Sequence, residues 1–259
     1  MDLILSAGCS FEMGLGLNFY RWEKNNIIDG NPYVNNNQYM ELLSQGDRKY
    51  MEKNNYTGLV AKYLNCDVRS TNNFGCGNDD IMLWCVKKTD YICKVKHLYN
   101  VKLFLIGLTD PFRDFESMSF NHMTEKLEEV CEILGIDMFD MSSMIGLTPQ
   151  KSLQLYDEYC QWFSKKLMST FVDFLRTKLD CPLLVWSWRK ELQKSVPKQN
   201  RILFENNGNY FENLSDLEKY VPSFQIRDDI KGIDDEHPSL KGHKIIAENI
   251  IRCYNENFT

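Results

Sequence analysis

The chain has 259 residues, 43% apolar and 13% aromatic, which supplies a sizeable core and excludes global disorder. With 30 basic against 36 acidic residues, its net charge is −6 and it has no long basic run, which argues against binding a phosphate backbone, so no nucleic-acid partner is expected. No run of ~18 apolar residues occurs, so no membrane span is expected.

In chain order, Leu3–Ala7 is a short apolar run stopped by Gly8, which predicts a buried strand and a turn. Residues 17–55 are Asn-rich and carry Phe19, Tyr20, Trp22, Tyr33 and Tyr39 with weak periodicity, and they read as a long insertion with short helices. Leu59, Val60, Tyr63 and Leu64 predict a helix over 56–64, and 66–70 a second strand. The loop Asn72–Asn78 leads into a helix from Asp79 to about Val95. Val101–Ile106 is the clearest central strand, and 122–135 reads as helical. Leu153, Tyr156, Cys160, Phe163, Leu167, Phe171, Phe174 and Leu175 recur at threes and fours, predicting a long amphipathic helix over 151–179. Pro182–Trp186 is another buried strand, Arg201–Phe204 a short one, and the last helix runs from Leu240 to Tyr254. This alternation predicts one α/β domain over 1–259, a three-layer α/β/α sandwich on a mainly parallel sheet. Ligands of such sheets sit at the carboxyl ends of the strands, so the loops after Ala7, Ser70, Ile106 and Trp186 are expected to share the functional edge.

Nine cysteines are present with no Cys-x-x-Cys pair, so a zinc ribbon or a thioredoxin-like site has no support. Their apolar surroundings predict buried, reduced thiols. The start, Met1 to Cys9, imitates a lipoprotein cleavage site but has no basic region before its apolar run. A soluble, cytoplasmic protein without a signal peptide is expected.

Several residues on the expected edge can carry chemistry. Ser10, in Gly8-Cys-Ser-Phe, follows the first strand, where a helix start can stabilise an oxyanion or where the serine can simply cap that helix. The same loop fails as a dinucleotide fingerprint, because Phe19 stands at the third glycine position, and as a P-loop. Near the other end, His237 precedes Pro238, and Ser239 can cap the final helix. Asp234 lies three residues earlier and can fold back on one imidazole nitrogen; a surface histidine in an acidic loop is the plainer alternative. Gly75 sits in a loop that lets backbone approach a ligand, and Thr109 follows the central strand with a hydroxyl at the same edge. Both also fit ordinary turns. His243 reads as a structural residue within the last helix.

In order, these segments resemble the SGNH/GDSL hydrolase family. Leu5-Ser-Ala-Gly-Cys-Ser10-Phe11 matches the nucleophile block, with Cys9 for the usual Asp, as in the Gly-Cys-Ser-Phe variant associated with phage and bacterial members, so phage encoding is one expected origin. Gly75 matches the second block. Gly107-Leu-Thr109-Asp110 stands for the third, with Thr where Asn is usual. Asp234-Asp-Glu-His237-Pro matches the last block. The resemblance spans residues 3 to 250. It implies a flavodoxin-like SGNH fold and a serine esterase. Ser10 is then the nucleophile, His237 the base and Asp234 its orienting partner, with Ser10, Gly75 and Thr109 forming the oxyanion hole. No cofactor or metal is implied, and the substrate is a small acyl ester or an acylated, for example O-acetylated, glycan. Two alternatives remain: a weak or inactive binding or assembly module on the same fold, and an acyltransferase using the same triad.

Overall fold

Asp2–Ala7 forms strand β1, whose apolar run buries Leu3, Ile4, Leu5 and Ala7 completely. In the computed structural model the described residues are 1–9, 14, 17–18, 20–21, 43–71, 77–109, 120–139, 149–187, 190–202, 221 and 237–259. Helix α1 (Gln45–Asn54) opens on a capping box: the Ser44 hydroxyl accepts from the Asp47 N–H, and the Asp47 carboxylate accepts from the Ser44 N–H. Helix α2 (Tyr56–Leu64) follows after the single cap residue Asn55, whose side chain accepts from Gly58 N–H at 2.7 Å. Strand β2 (Asp67–Ser70), helix α3 (Asn78–Lys94), strand β3 (Asn100–Leu108) and helix α4 (Phe120–Leu134) come next. Then come helix α5 (Pro149–Trp162), a π-turn (Phe163–Leu167), helix α6 (Met168–Lys178), strand β4 (Leu183–Ser187), helix α7 (Lys190–Ser195) and helix α8 (Leu240–Phe258).

Among the described residues the four strands form one sheet in the order β2-β1-β3-β4, every pair parallel. The chain first steps from β1 outward to β2, then returns across β1 to β3 and onward to β4. Right-handed crossovers in opposite directions place helices on opposite faces. The contacts agree. Helix α2 packs on α1 and α8, while α3, α4 and α6 pack on one another. Ser6 of β1 meets Thr57 of α2 on the first face, and Phe104 of β3 meets Trp84 of α3 on the second. The expected three-layer α/β architecture is therefore present.

Three expectations need correction. The long helix is two α-helices joined by the π-turn. Its buried residues Tyr159, Phe163, Leu167, Phe171 and Leu175 recur every fourth position, which drifts around a 3.6-residue helix, and one wide turn brings the stripe back over the sheet. The central strand continues through Gly107 and Leu108, so its loop begins at Thr109. Of the short strand expected over Arg201–Phe204, residues 203–204 lie outside the described residues; Arg201 forms an isolated parallel bridge to Val185, and Ile202 N–H donates to the Val185 carbonyl at 3.1 Å. Of the cysteines, Cys9, Cys85, Cys131 and Cys253 are buried, but Cys93 is exposed, near the end of α3, with its thiol 3.4 Å from the Lys178 carbonyl. The insertion expected over 17–55 ends in α1; most of it lies outside the described residues. No helix among the described residues is long and apolar enough to cross a membrane.

Candidate active site at the carboxyl edge

Because all four strands are parallel, their carboxyl ends share one edge, and three polar clamps hold the segments that leave it. At the end of β1, Gly8 N–H donates to the Thr71 hydroxyl at 3.2 Å, and that hydroxyl lies 3.2 Å from the Gly8 carbonyl, which it can donate to in return. Thr71 N–H also donates to the Ser6 carbonyl at 3.0 Å, extending the ladder one step past β2. At the end of β3, Asn78 grips Thr109 on both sides. Its Oδ1 accepts from Thr109 N–H at 2.9 Å, and its Nδ2 donates to the Thr109 carbonyl at 3.0 Å. Both residues are buried, so this carboxamide replaces the strand partner the backbone has lost. The third clamp joins chain segments far apart in sequence: Leu240 N–H, at the start of α8, donates to the Tyr20 hydroxyl at 3.3 Å.

Tyr56 organises the first face beneath this edge. Trp186 Nε1 of β4 donates to its hydroxyl at 3.3 Å, across Gly107 of β3. Gly107 has no side chain for a reason: a Cβ there would stand 2.8 Å from the indole nitrogen and 3.0 Å from the Tyr56 hydroxyl. Tyr56 N–H donates to Nδ1 of His243 at 3.1 Å, and the two rings stack with centroids 5.7 Å apart. Since Nδ1 accepts, the proton of the neutral ring sits on Nε2, which is buried and has no partner among the described residues. Burial pushes the His243 imidazole down to about 3, and the nearby His237 adds to the drop. His243 is thus a neutral packing and hydrogen-bonding residue, as its helical setting suggested.

Near the first strand's exit, Gly14 adopts a left-handed conformation with φ 73°, and a Cβ there would lie 2.8 Å from Cβ of Asn55. Arg21 bonds Asp47 at 2.7 Å, holding this segment against α1. On the opposite face, Asp79 follows Asn78 in the first turn of α3, with its carboxylate buried beside the helix-start amides. Burial raises its pKa above the usual carboxylate range, the adjacent Asp80 adds to this, and the helix-start amides and Lys126 oppose it.

Of the residues singled out in the sequence, Thr109 is buried at the end of β3 and His237 is half-buried just before the Ser239 cap of α8. Ser239 accepts from Gly242 N–H at 3.3 Å, as expected. Ser10, Gly75 and Asp234 lie outside the described residues. Sequence reading missed Tyr56, Thr71, Asn78 and Asp79. Asn78 and Asp79 announce a helix start, but their tertiary partners leave no periodic trace.

No family model matches the chain, and no curated protein matches it. A solved structure described as a "putative lipolytic protein of G-D-S-L family", from Desulfitobacterium hafniense DCB-2, aligns over 97% of this chain and 98% of its own, at 11% identity and a TM-score of 0.35. A likeness that low carries no argument about chemistry, and the fold assignment stands on the sheet topology above.

Proposed function

We propose that the chain is a serine acyl hydrolase of the SGNH/GDSL type. Ser10 Oγ attacks an ester carbonyl while His237 takes its proton and Asp234 holds the imidazolium. The tetrahedral oxyanion meets the N–H groups of Ser10 and Gly75, with Thr109 assisting. His237 then protonates the leaving alcohol, and water, deprotonated by His237, releases the acid and restores the Ser10 hydroxyl. The observation that carries this reading is the set of clamps. The described residues on either side of 72–76, the stretch that includes Gly75, are Thr71, tied to Gly8, and a helix start tied to Thr109. The Tyr20–Leu240 bond brings the segment after Ser10 to the helix that follows His237. Each segment of the resemblance therefore has a described neighbour fastened to another's.

The test is turnover of aryl acetates and of O-acetylated sugars by the wild type and by Ser10→Ala. The reading expects acetate release that the variant loses, by on the order of 10⁶ in kcat for a triad serine. Activity retained by Ser10→Ala refutes the assignment. Preference for aryl acetates alone counts against an acetylated glycan. A second reading, a binding module with little or no turnover, draws on the buried Thr109 where the family carries Asn. It expects no acetate release from any substrate.

A further inference from the structure

Along strand β2, at one side of the described sheet, a cleft of about 340 Å³ opens between α2, β2 and α3, lined in part by Glu52, Asn55, Arg69, Ser70, Trp84 and Lys88. We propose that it binds an oxyanion, carboxylate or phosphate, carried on a sugar ring.

Two cations from different elements line this cleft without being neutralised. The other lysines of α3 show the contrast: Lys87 pairs with Glu129 at 2.8 Å, and Lys94 with Asp90 at 2.5 Å. Lys88 forms no ion pair among the described residues. Its Nζ instead lies 5.9 Å from the Trp84 ring centroid and 5.0 Å from that of Tyr91. Arg69 likewise forms no ion pair among the described residues and rests over Tyr99 at 5.6 Å. Aromatic faces hold a cation in place while leaving its charge available to a ligand. The two cations also feel each other. Burial lowers the Lys88 pKa, and the charge of Arg69 lowers it further.

Gathering two such charges is unfavourable in the empty cleft and favourable once an anion lies between them. It also stands against the chain's overall charge of −6. Glu52 lines the same cleft but pairs with neither cation, and its carboxylate suits sugar hydroxyls as an acceptor. Asn55 and Ser70 add an amide and a hydroxyl that suit further sugar hydroxyls. Arginine provides a planar fork for an oxyanion, and lysine a point charge beside it.

The position gives the cleft a use. Ser70 ends β2, and the next residue, Thr71, clamps Gly8 on the neighbouring strand. Ser70, which lines the cleft, thus adjoins that clamp in the chain. As a substrate subsite the cleft rests on the hydrolase reading, and it then selects acidic glycans; as a binding site it rests on its own geometry.

Titrating Ser10→Ala protein, followed by tryptophan fluorescence and calorimetry, separates the two. The ligands are glucuronate, glucose 6-phosphate, glucose and inorganic phosphate. Glucuronate or glucose 6-phosphate is expected to bind at least about tenfold more tightly than glucose, and whichever binds identifies the anion as carboxylate or phosphate. In Ser10→Ala carrying R69Q and K88Q, that affinity falls by about tenfold or more. Lys88→Met, which keeps the stem on Trp84 and removes only the charge, gives part of the same loss if the double change impairs folding. Equal binding of glucose, unchanged affinity in the charge variants, or inorganic phosphate binding as tightly as the sugar anions overturns the proposal. Loss of the site with ester turnover intact removes the subsite alone, and retained binding without turnover removes only the hydrolase.

Discussion

The two ends of the sheet are held together by different kinds of contact. At the amino end, Asn100 Nδ2 donates to Asp2 at 2.8 Å, Lys102 stands 3.6 Å from the same carboxylate, and the terminal amine reaches the Leu98 carbonyl at 3.3 Å, all in exposed positions. At the carboxyl end the links are buried: Thr71 to Gly8, Asn78 to Thr109, Trp186 to Tyr56 and Tyr56 to His243. Exposed pairs exchange readily with water and contribute little. Buried ones leave an unsatisfied group behind when either partner is removed. Buried links therefore cluster at the end where backbone must leave the sheet in a fixed direction, as a preorganised site requires, although the start of β4 has one too, with Asn200 Nδ2 donating to the Leu183 carbonyl at 2.8 Å.

Removing Asn78 is the strongest way to break this contrast. Asn78→Ala strands the buried N–H and carbonyl of Thr109 together, and a loss of about 2–4 kcal/mol is expected in chemical denaturation, along with any ester turnover. Asn78→Asp sets a buried carboxylate oxygen against the Thr109 carbonyl and beside Asp79, so at pH 7 a loss at least as large is expected.

The buried histidine sharpens the contrast through pH. His243 titrates near 3 in the folded protein, against 6.5 ordinarily. Between those values the unfolded chain holds a proton that the folded chain refuses. Stability therefore falls as pH drops through this window, by at most about 1.4 kcal/mol per pH unit from this group. A denaturation series over that range checks the slope, and His243→Gln is expected to flatten it while lowering stability at pH 7 by about 1–3 kcal/mol, if Tyr56 N–H is left unpaired.

Asp79 has the opposite sign. Its raised pKa means that the folded protein binds a proton more tightly than the unfolded chain, so its contribution is lost as pH rises through the folded value. Asp79→Asn removes a buried charge, and a higher melting temperature is expected at pH 7 but not at pH 3. The smallest effect belongs to the amino end, where Asp2→Ala is expected to cost no more than about 0.5 kcal/mol.

Much of this arrangement is legible in the sequence, and the reason is periodicity. Leu3–Ala7, Val101–Ile106 and Pro182–Trp186 read as buried strands because strands sheltered on both faces are continuously apolar, and their alternation with helices places the edge. Ser239 reads as a cap because its partner is local. The clamps are not legible. Asn78 with Thr109, or Tyr56 with His243, is a single polar contact between distant positions, and an asparagine at a helix start looks the same with or without a tertiary partner. The exposed Cys93 misled for a related reason: an apolar neighbourhood in sequence does not say which side of a helix a residue takes. The π-turn is not legible either, because the apolar residues of 151–179 recur at threes and fours, and only their burial singles out the four-residue spacing from Tyr159 to Leu175.

The central claim is that a hydroxyl after β1 is activated by the imidazole that precedes α8. Intact-mass analysis after treatment with a fluorophosphonate serine probe tests it most directly. One adduct per chain is expected on the wild type, mapping to Ser10, with little on Ser10→Ala or His237→Ala under the same conditions. Equal labelling of Ser10→Ala, or an unlabelled wild type, contradicts the account.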